Sequence, residues 1–108
     1  MWRVTTDGRL ENKLRHWKYS ESDGTNMDSS EGVIEVQKIG KVFTVNNKTL
    51  KVEYKVKERP LPSSQKWEFG LLDGNHWQTI KHSETNLYLT ARYNHPSSIL
   101  VIEGEIGK

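Results

Sequence analysis

A chain of 108 residues, 33% of them apolar, with 16 Lys and Arg against 14 Asp and Glu and no cysteine, has material for a single domain spanning 1–108. A fold of this size buries roughly two-thirds of the surface its unfolded chain exposes, so the core must be pooled from four Trp, four Tyr, two Phe and a few aliphatic residues. The absence of cysteine excludes disulfides, thiolate nucleophiles and Cys-based zinc or iron–sulfur centres, and a net charge of +2, split as eight basic and seven acidic residues in each of 1–50 and 51–108, argues against nucleic acid as a partner.

In chain order, Trp2–Val4 begins an apolar stretch, and Asp7-Gly8 marks a turn. Arg3 and Asp7 interrupt the amino terminus before a secretory signal can form. Arg9–Lys18 allows two readings. Leu10, Leu14 and Trp17 sit at helical spacing, with Glu11 four residues before Arg15; alternatively a strand at Arg9–Asn12 turns into a second near Trp17–Ser20. Residues 21–35 carry Glu21, Asp23, Asp28, Glu31 and Glu35 with no basic residue and read as a solvated loop.

The rest reads as short strands: Val33–Ile39, Val42–Val45, Lys51–Lys57, Trp67–Leu72, Trp77–Ile80, Leu87–Ala91 and Ser98–Ile102, separated by turn-forming pieces such as Asp73-Gly74 and Asn94-His95-Pro96. In Lys51–Lys57 strict alternation puts Val52, Tyr54 and Val56 on one face. The longest apolar run, Ile99–Ile102, falls far short of the roughly 20 residues of a membrane span, so a soluble all-β chain without a membrane segment is expected, its compartment left open.

A weak repeat organises these strands. Gly8, Gly40 and Gly74 are 32 and 34 residues apart, and Leu10, Phe43 and Trp77 are 33 and 34 apart. Trp2-Arg-Val4 has its counterpart in Trp67-Glu-Phe69, with a looser copy at Val33–Val36. Three units, about 1–31, 32–65 and 66–108, nearly fill the chain and favour the strand reading of Arg9–Lys18. Three such units can close a six-stranded barrel with hairpins capping one end, with Trp67, Phe69, Trp77, Leu87, Leu89 and Val101 pooled at one axis.

The third unit carries a more specific pattern. Gln65-Lys66-Trp67, then Asp73-Gly74 through Ile80 and Ser83, then Thr85-Asn86-Leu87-Tyr88-Leu89, resembles a ricin B-like (R-type) β-trefoil lectin repeat over about 40 residues. The resemblance implies glycan binding by a shallow pocket in each repeat. There an Asp after the Leu of the third strand accepts from two sugar hydroxyls, an aromatic ring stacks on the sugar and an amide completes the clamp. This chain departs from that pattern, with Thr90 after Leu89 and Lys51 after Leu50.

The resemblance leaves Thr90, Arg92, Tyr93, Asn94 and His95 as the candidate glycan residues of the third unit, Tyr93 to stack and Asn94 to donate and accept; Tyr93–Pro96 also reads as a plain turn. Trp17, Tyr19, Asp23 and Asn26 form the set of the first unit. The middle unit offers only Glu53, Tyr54 and Lys57. Gln65 is expected to brace the barrel by bonds to backbone.

Catalytic chemistry has no foothold. No His-Glu-x-x-His, phosphate loop or Gly-x-Ser-x-Gly occurs, and His76 and His82, about 20 Å apart in extended chain, share no ion. No cofactor or metal is expected, and the chain reads as no enzyme. The leading expectation is a lectin or carbohydrate-binding module whose partner is a glycan or glycoprotein, with homo-oligomers supplying multivalency. The alternative is a protein-binding trefoil, a protease inhibitor or a cytoskeletal or signalling partner, using the basic strand Lys51–Arg59.

Overall fold

The computed structural model describes residues 1–14, 17–19, 22–92 and 100–104, Trp17 by its backbone alone. The chain is all-β: β1 (Trp2–Val4), β2 (Leu10–Asn12), β3 (Trp17–Lys18), β4 (Thr25–Asp28), β5 (Val33–Val36), β6 (Lys41–Val45), β7 (Val52–Lys55), a 3-10 turn at Ser63–Gln65, β8 (Trp67–Phe69), β9 (Ile80–His82), β10 (Tyr88–Ala91) and β11 (Leu100–Glu103). They form three antiparallel meanders, β1-β2-β3, β4-β5-β6-β7 and β8-β9-β10-β11, none closed on itself.

The helical reading of Arg9–Lys18 gives way to strands. Glu11 pairs with Lys18 and Asn12 with Trp17, Leu10 and Asn12 point inward, and Leu14 is 43% exposed, so a period of two overrides the helical spacing. The acidic stretch 21–35, expected as a loop, holds β4, which runs beside β5 from Thr25↔Val36 to Asp28↔Val33 and lays Met27 against the core. Polar outward residues concealed this strand.

Turns shorten the other strands. The 33–39 segment ends at Val36 because Ile39 and Gly40 donate N–H bonds back to the Val36 carbonyl. Trp67–Leu72 ends at Phe69, and the strand expected at Trp77–Ile80 begins only at Ile80. Asp73 is the reason. Its carboxylate accepts from the Asn75 and Trp77 N–H groups at 2.8 and 3.0 Å, folding the chain over a His76 whose φ is +65°. Val56, expected on the inner face with Val52 and Tyr54, is 67% exposed, while those two pack on the core.

Two hairpins are built in the same register. Trp2↔Asn12, Arg3↔Glu11 and Val4↔Leu10 on β1–β2 correspond to Trp67↔His82, Glu68↔Lys81 and Phe69↔Ile80 on β8–β9. Leu10 therefore matches Ile80 and not Trp77 as the spacing of the repeat suggested. The loop between β8 and β9 is five residues longer than that between β1 and β2, which displaces Trp77 from the strand. The β6–β7 and β10–β11 hairpins correspond in turn: Phe43↔Tyr54 and Thr44↔Glu53 beside Leu89↔Ile102 and Thr90↔Val101.

The two tryptophans lock these pairs together. The Trp2 indole N–H donates to the Leu89 carbonyl at 2.8 Å, and the Trp67 indole N–H donates to the Phe43 carbonyl at 3.2 Å. Each ring is thus buried with its one polar atom satisfied. Around them lie Leu10, Tyr19, Ile34, Val36, Val45, Ile80, Leu89, Leu100 and Ile102, with Phe69 and Leu87 partly buried at the margin. Trp77 and Val101 are buried as well.

Backbone bonds also stitch sheet to sheet. Trp2 and Gln78 exchange N–H···O bonds of 2.8 and 2.9 Å between the first and third sheets, Thr25 donates to Gly8 at 2.7 Å between the first and second, and Trp67 donates to Gly32 at 2.6 Å between the second and third. Gln65, fully buried, braces the approach to β8. Its side-chain oxygen accepts from the Glu58 N–H at 3.0 Å, and its amide donates to the Val56 carbonyl at 3.0 Å and the Thr44 hydroxyl at 3.2 Å.

Candidate functional site

Cross-strand register places Glu68, Lys81, Tyr88 and Glu103 in one row across the third sheet. Side chains in such a row share a face and meet their neighbours. The Lys81 ammonium lies 3.1 Å from the Glu68 carboxylate, and Tyr88 stands between Lys81 and Glu103, half-buried. Beside this row opens a hollow of about 240 Å³ lined by Glu68, Phe69, Gly70, Thr79, Lys81 and Tyr88.

Gly70 keeps the hollow open. A Cβ added there would run into the Thr79 hydroxyl, and Gly70 has no left-handed φ to require glycine, so the constraint is space. The Gly70 N–H donates to the Thr79 carbonyl at 2.9 Å, which fixes the hollow's wall. An aromatic face, a carboxylate acceptor, an ammonium donor and a hydroxyl converge on one shallow depression.

The matching row on the first sheet is Arg3, Glu11 and Lys18. Arg3 occupies the place of Glu68, Glu11 that of Lys81, and Lys18 that of Tyr88, so the ion pair recurs with its charges exchanged: Arg3 Nε to Glu11 Oε1, 2.8 Å. A larger cleft of about 430 Å³ opens here, with Asn75 and His76 reaching in from the long β8–β9 loop. Arg3 lies 4.0 Å over the Trp77 ring and donates to the Asn75 carbonyl at 3.2 Å. Lys18 reaches Asp7 at 3.1 Å. The Asp7 carboxyl is held below its usual range by the Thr5 hydroxyl and then by Lys18, and Asp73 by the Trp77 and Asn75 N–H groups.

The residues singled out from the resemblance are dispersed. Thr90 shares the face of Tyr88 but is buried, its hydroxyl turned back onto the Tyr88 carbonyl at 3.1 Å, as Thr44 does onto Val42 at 3.2 Å. Tyr19 is a core residue, its ring 5.7 Å from that of Trp2, so it offers no face to a ligand. Asp23 is paired with Arg9 at 2.7 Å, and Asn26 projects from β4 into solvent. Arg92 is exposed and comes within 3.9 Å of Glu103, at the end of the Tyr88 row. Tyr93, Asn94, His95 and the Trp17 side chain lie outside the described residues.

Sequence reasoning missed Glu68, Phe69, Gly70, Thr79, Lys81 and Tyr88 as site residues. The signal was present in outline: Glu68 and Lys81 have opposite charges, and Tyr88 follows a Leu at alternating spacing. Joining them required the register of β8, β9 and β10, which spacing alone does not supply.

His82, on β9 beside Lys81, is a fully buried titratable group. Its Nδ1 lies 3.0 Å from the Thr85 hydroxyl, and its ring centre is 5.1 Å from that of Trp67 in an edge-to-face arrangement. Desolvation pushes its pKa below the usual histidine value. Among the described residues no group of His, Asp or Glu is placed to hold a metal ion, and no helix is long and apolar enough to cross a membrane. No family model, no characterised protein and no solved structure matches the chain.

Proposed function

We propose that the chain is a carbohydrate-binding domain of β-trefoil type, similar to the ricin B-like lectins, which takes a neutral sugar ring against Tyr88. The register-matched hairpins, the twin indole anchors and the bonds that join all three sheets pairwise support the trefoil arrangement. In that arrangement the three meanders together surround one axis, with the two Trp rings inside. Binding, with no catalytic step, is the activity this surface suits.

The single observation that carries the reading is the Tyr88 row. A half-exposed aromatic ring covers the apolar face of a pyranose, while Glu68 accepts from sugar hydroxyls and Lys81 donates to their oxygens. A hollow this shallow holds a single ring weakly, so avidity comes from repetition through oligomers or multivalent glycans. The usual aspartate after the third-strand Leu is replaced by a buried Thr90, and the acid function passes to Glu68 and Glu103.

The test is a glycan array followed by calorimetry on the best neutral ligand, with the fold monitored by near-UV circular dichroism. Tyr88→Ala should weaken binding about tenfold or more at unchanged fold, as expected for the loss of one ring contact. Absence of any bound sugar on a folded protein removes the proposal.

A second reading, a protein-binding domain, draws on one observation. Leu71 and Leu72 are 96% and 58% exposed side by side in the long β8–β9 loop. Such a pair suits a pocket on another protein. Capture of a partner that free sugar does not displace, and that Leu71→Ser abolishes, is its signature.

A further inference from the structure

We propose that the cleft on the first sheet binds an anionic group, a carboxylate or a sulfate ester, so that the domain recognises acidic glycans through Arg3 and Lys18. The identity of the carrier as a glycan rests on the reading given above; the anion site rests on its own geometry.

The first argument is the exchange of charge within one frame. Where the third sheet presents Glu68 and Tyr88, the first presents Arg3 and Lys18 at the corresponding register positions. Lys18 stands in place of the stacking ring and Arg3 in place of the Glu68 carboxylate. The same backbone geometry therefore offers an aromatic face on one sheet and a pair of donors on the other.

The second is the way Arg3 is held. Glu11, which also lines the cleft with its side chain only 18% exposed, orients the guanidinium through Nε, the Trp77 ring supports its face, and the Asn75 carbonyl takes one N–H of Nη1. Arg3 lines the cleft, and its planar, always charged fork has more donors than these two bonds use. A guanidinium fixed from several sides binds an oxyanion with little ordering cost. Lys18 adds an ammonium with donors beyond its bond to Asp7, and Asp7 does not line the cleft.

The third is His76. It lines the cleft with φ at +65°, a backbone conformation rare outside glycine, and its N–H is tied to the Asp73 carbonyl at 3.0 Å. Here the long loop aims His76 and Asn75 over a cleft of about 430 Å³, with Val4 as its apolar patch, room for a sugar that carries a charged substituent.

Isothermal titration of the full chain with galactose, galactose 6-sulfate, glucuronic acid and inorganic sulfate tests this. The expected result is that the two acidic sugars bind more tightly than galactose, that Lys18→Gln and Arg3→Gln each weaken them about tenfold, and that Tyr88→Ala leaves this anion-dependent gain intact. Lys18→Gln keeps the test decisive if loss of the Trp77 stack unfolds Arg3→Gln. If galactose binds but the acidic sugars gain nothing, or their gain survives Lys18→Gln, the anion site is refuted while the glycan reading stands. If no sugar binds yet inorganic sulfate binds in a Lys18-dependent way, the anion site stands with a carrier other than a glycan, and the glycan reading falls. If neither sugars nor sulfate bind, both are refuted.

Discussion

Gly32 and Gly40 share nearly the same left-handed backbone, φ +71° and +64°, but not the same surroundings. A Cβ on Gly40 would meet nothing within 4 Å, whereas on Gly32 it would lie 2.8 Å from the Trp67 carbonyl oxygen. That carbonyl is main chain and cannot step aside, because the Trp67 N–H is bonded to the Gly32 oxygen at 2.6 Å. Gly40→Ala should therefore cost only the left-handed conformation, roughly 1–2 kcal/mol. Gly32→Ala pays the same and adds a steric term of about 1–3 kcal/mol, typical of overpacking a site that cannot relax. Against a total stability of roughly 5–15 kcal/mol for a domain of this size, the added term is large. It corresponds to a further fall in Tm on the order of 5–20 °C. Urea and thermal unfolding of the two variants, followed by tryptophan fluorescence, measure the difference. Equal destabilisation by the two alanines would refute the close approach of the second and third sheets at this joint.

Three other outcomes are expected. His82 has a folded pKa below the usual 6.5, so stability should be fully present above about pH 6.5 and decline as pH falls toward and through the folded value. His82→Asn, which copies the buried Asn12 of the matching hairpin, should remove that slope; a urea midpoint that stays pH-dependent between 7 and 5 by the same amount contradicts the assignment. Gln65→Ala strands the Glu58 N–H and the Val56 carbonyl and should cost about 2–4 kcal/mol by chemical denaturation, a loss below 0.5 kcal/mol showing that water replaces the bonds. Gly70→Ala should push the Thr79 hydroxyl into the hollow and abolish neutral sugar binding with Tm little changed; binding at wild-type affinity would place the sugar elsewhere.

The sequence signals that held were those with a period or a partner written into them. Trp2-Arg-Val4 and Trp67-Glu-Phe69 carry the same alternation, and the two strands fold alike because Trp and a second apolar residue must both point inward. Gln65 was expected as a brace from the Gln-x-Trp pattern of the resemblance, and its side chain does bond the Glu58 N–H, the Val56 carbonyl and the Thr44 hydroxyl. Other features depend on contacts distant in sequence. The strand Thr25–Asp28 is mostly polar, and only its pairing to β5 makes it a strand. Tyr19 reads as a surface aromatic until Trp2, seventeen residues away, is placed against it.

The candidate site shows the same division. The aromatic residues could be counted from the chain, but which of them faces solvent is decided by register, and the two hairpins keep one register across loops of different length, so residue spacing along the chain does not give it. Asp73 illustrates the point. One carboxylate accepting two N–H groups moved the start of β9 from Trp77 to Ile80, and with it the neighbours of Lys81.

Because β1–β2 and β8–β9 keep one pairing register, a side chain taken from either hairpin has a defined address on the other. Arg3 and Glu11 stand at the addresses of Glu68 and Lys81, and the two ion pairs run in opposite sense over the same inward-facing pattern. The polarity of each outward row is thereby set separately from the scaffold beneath it.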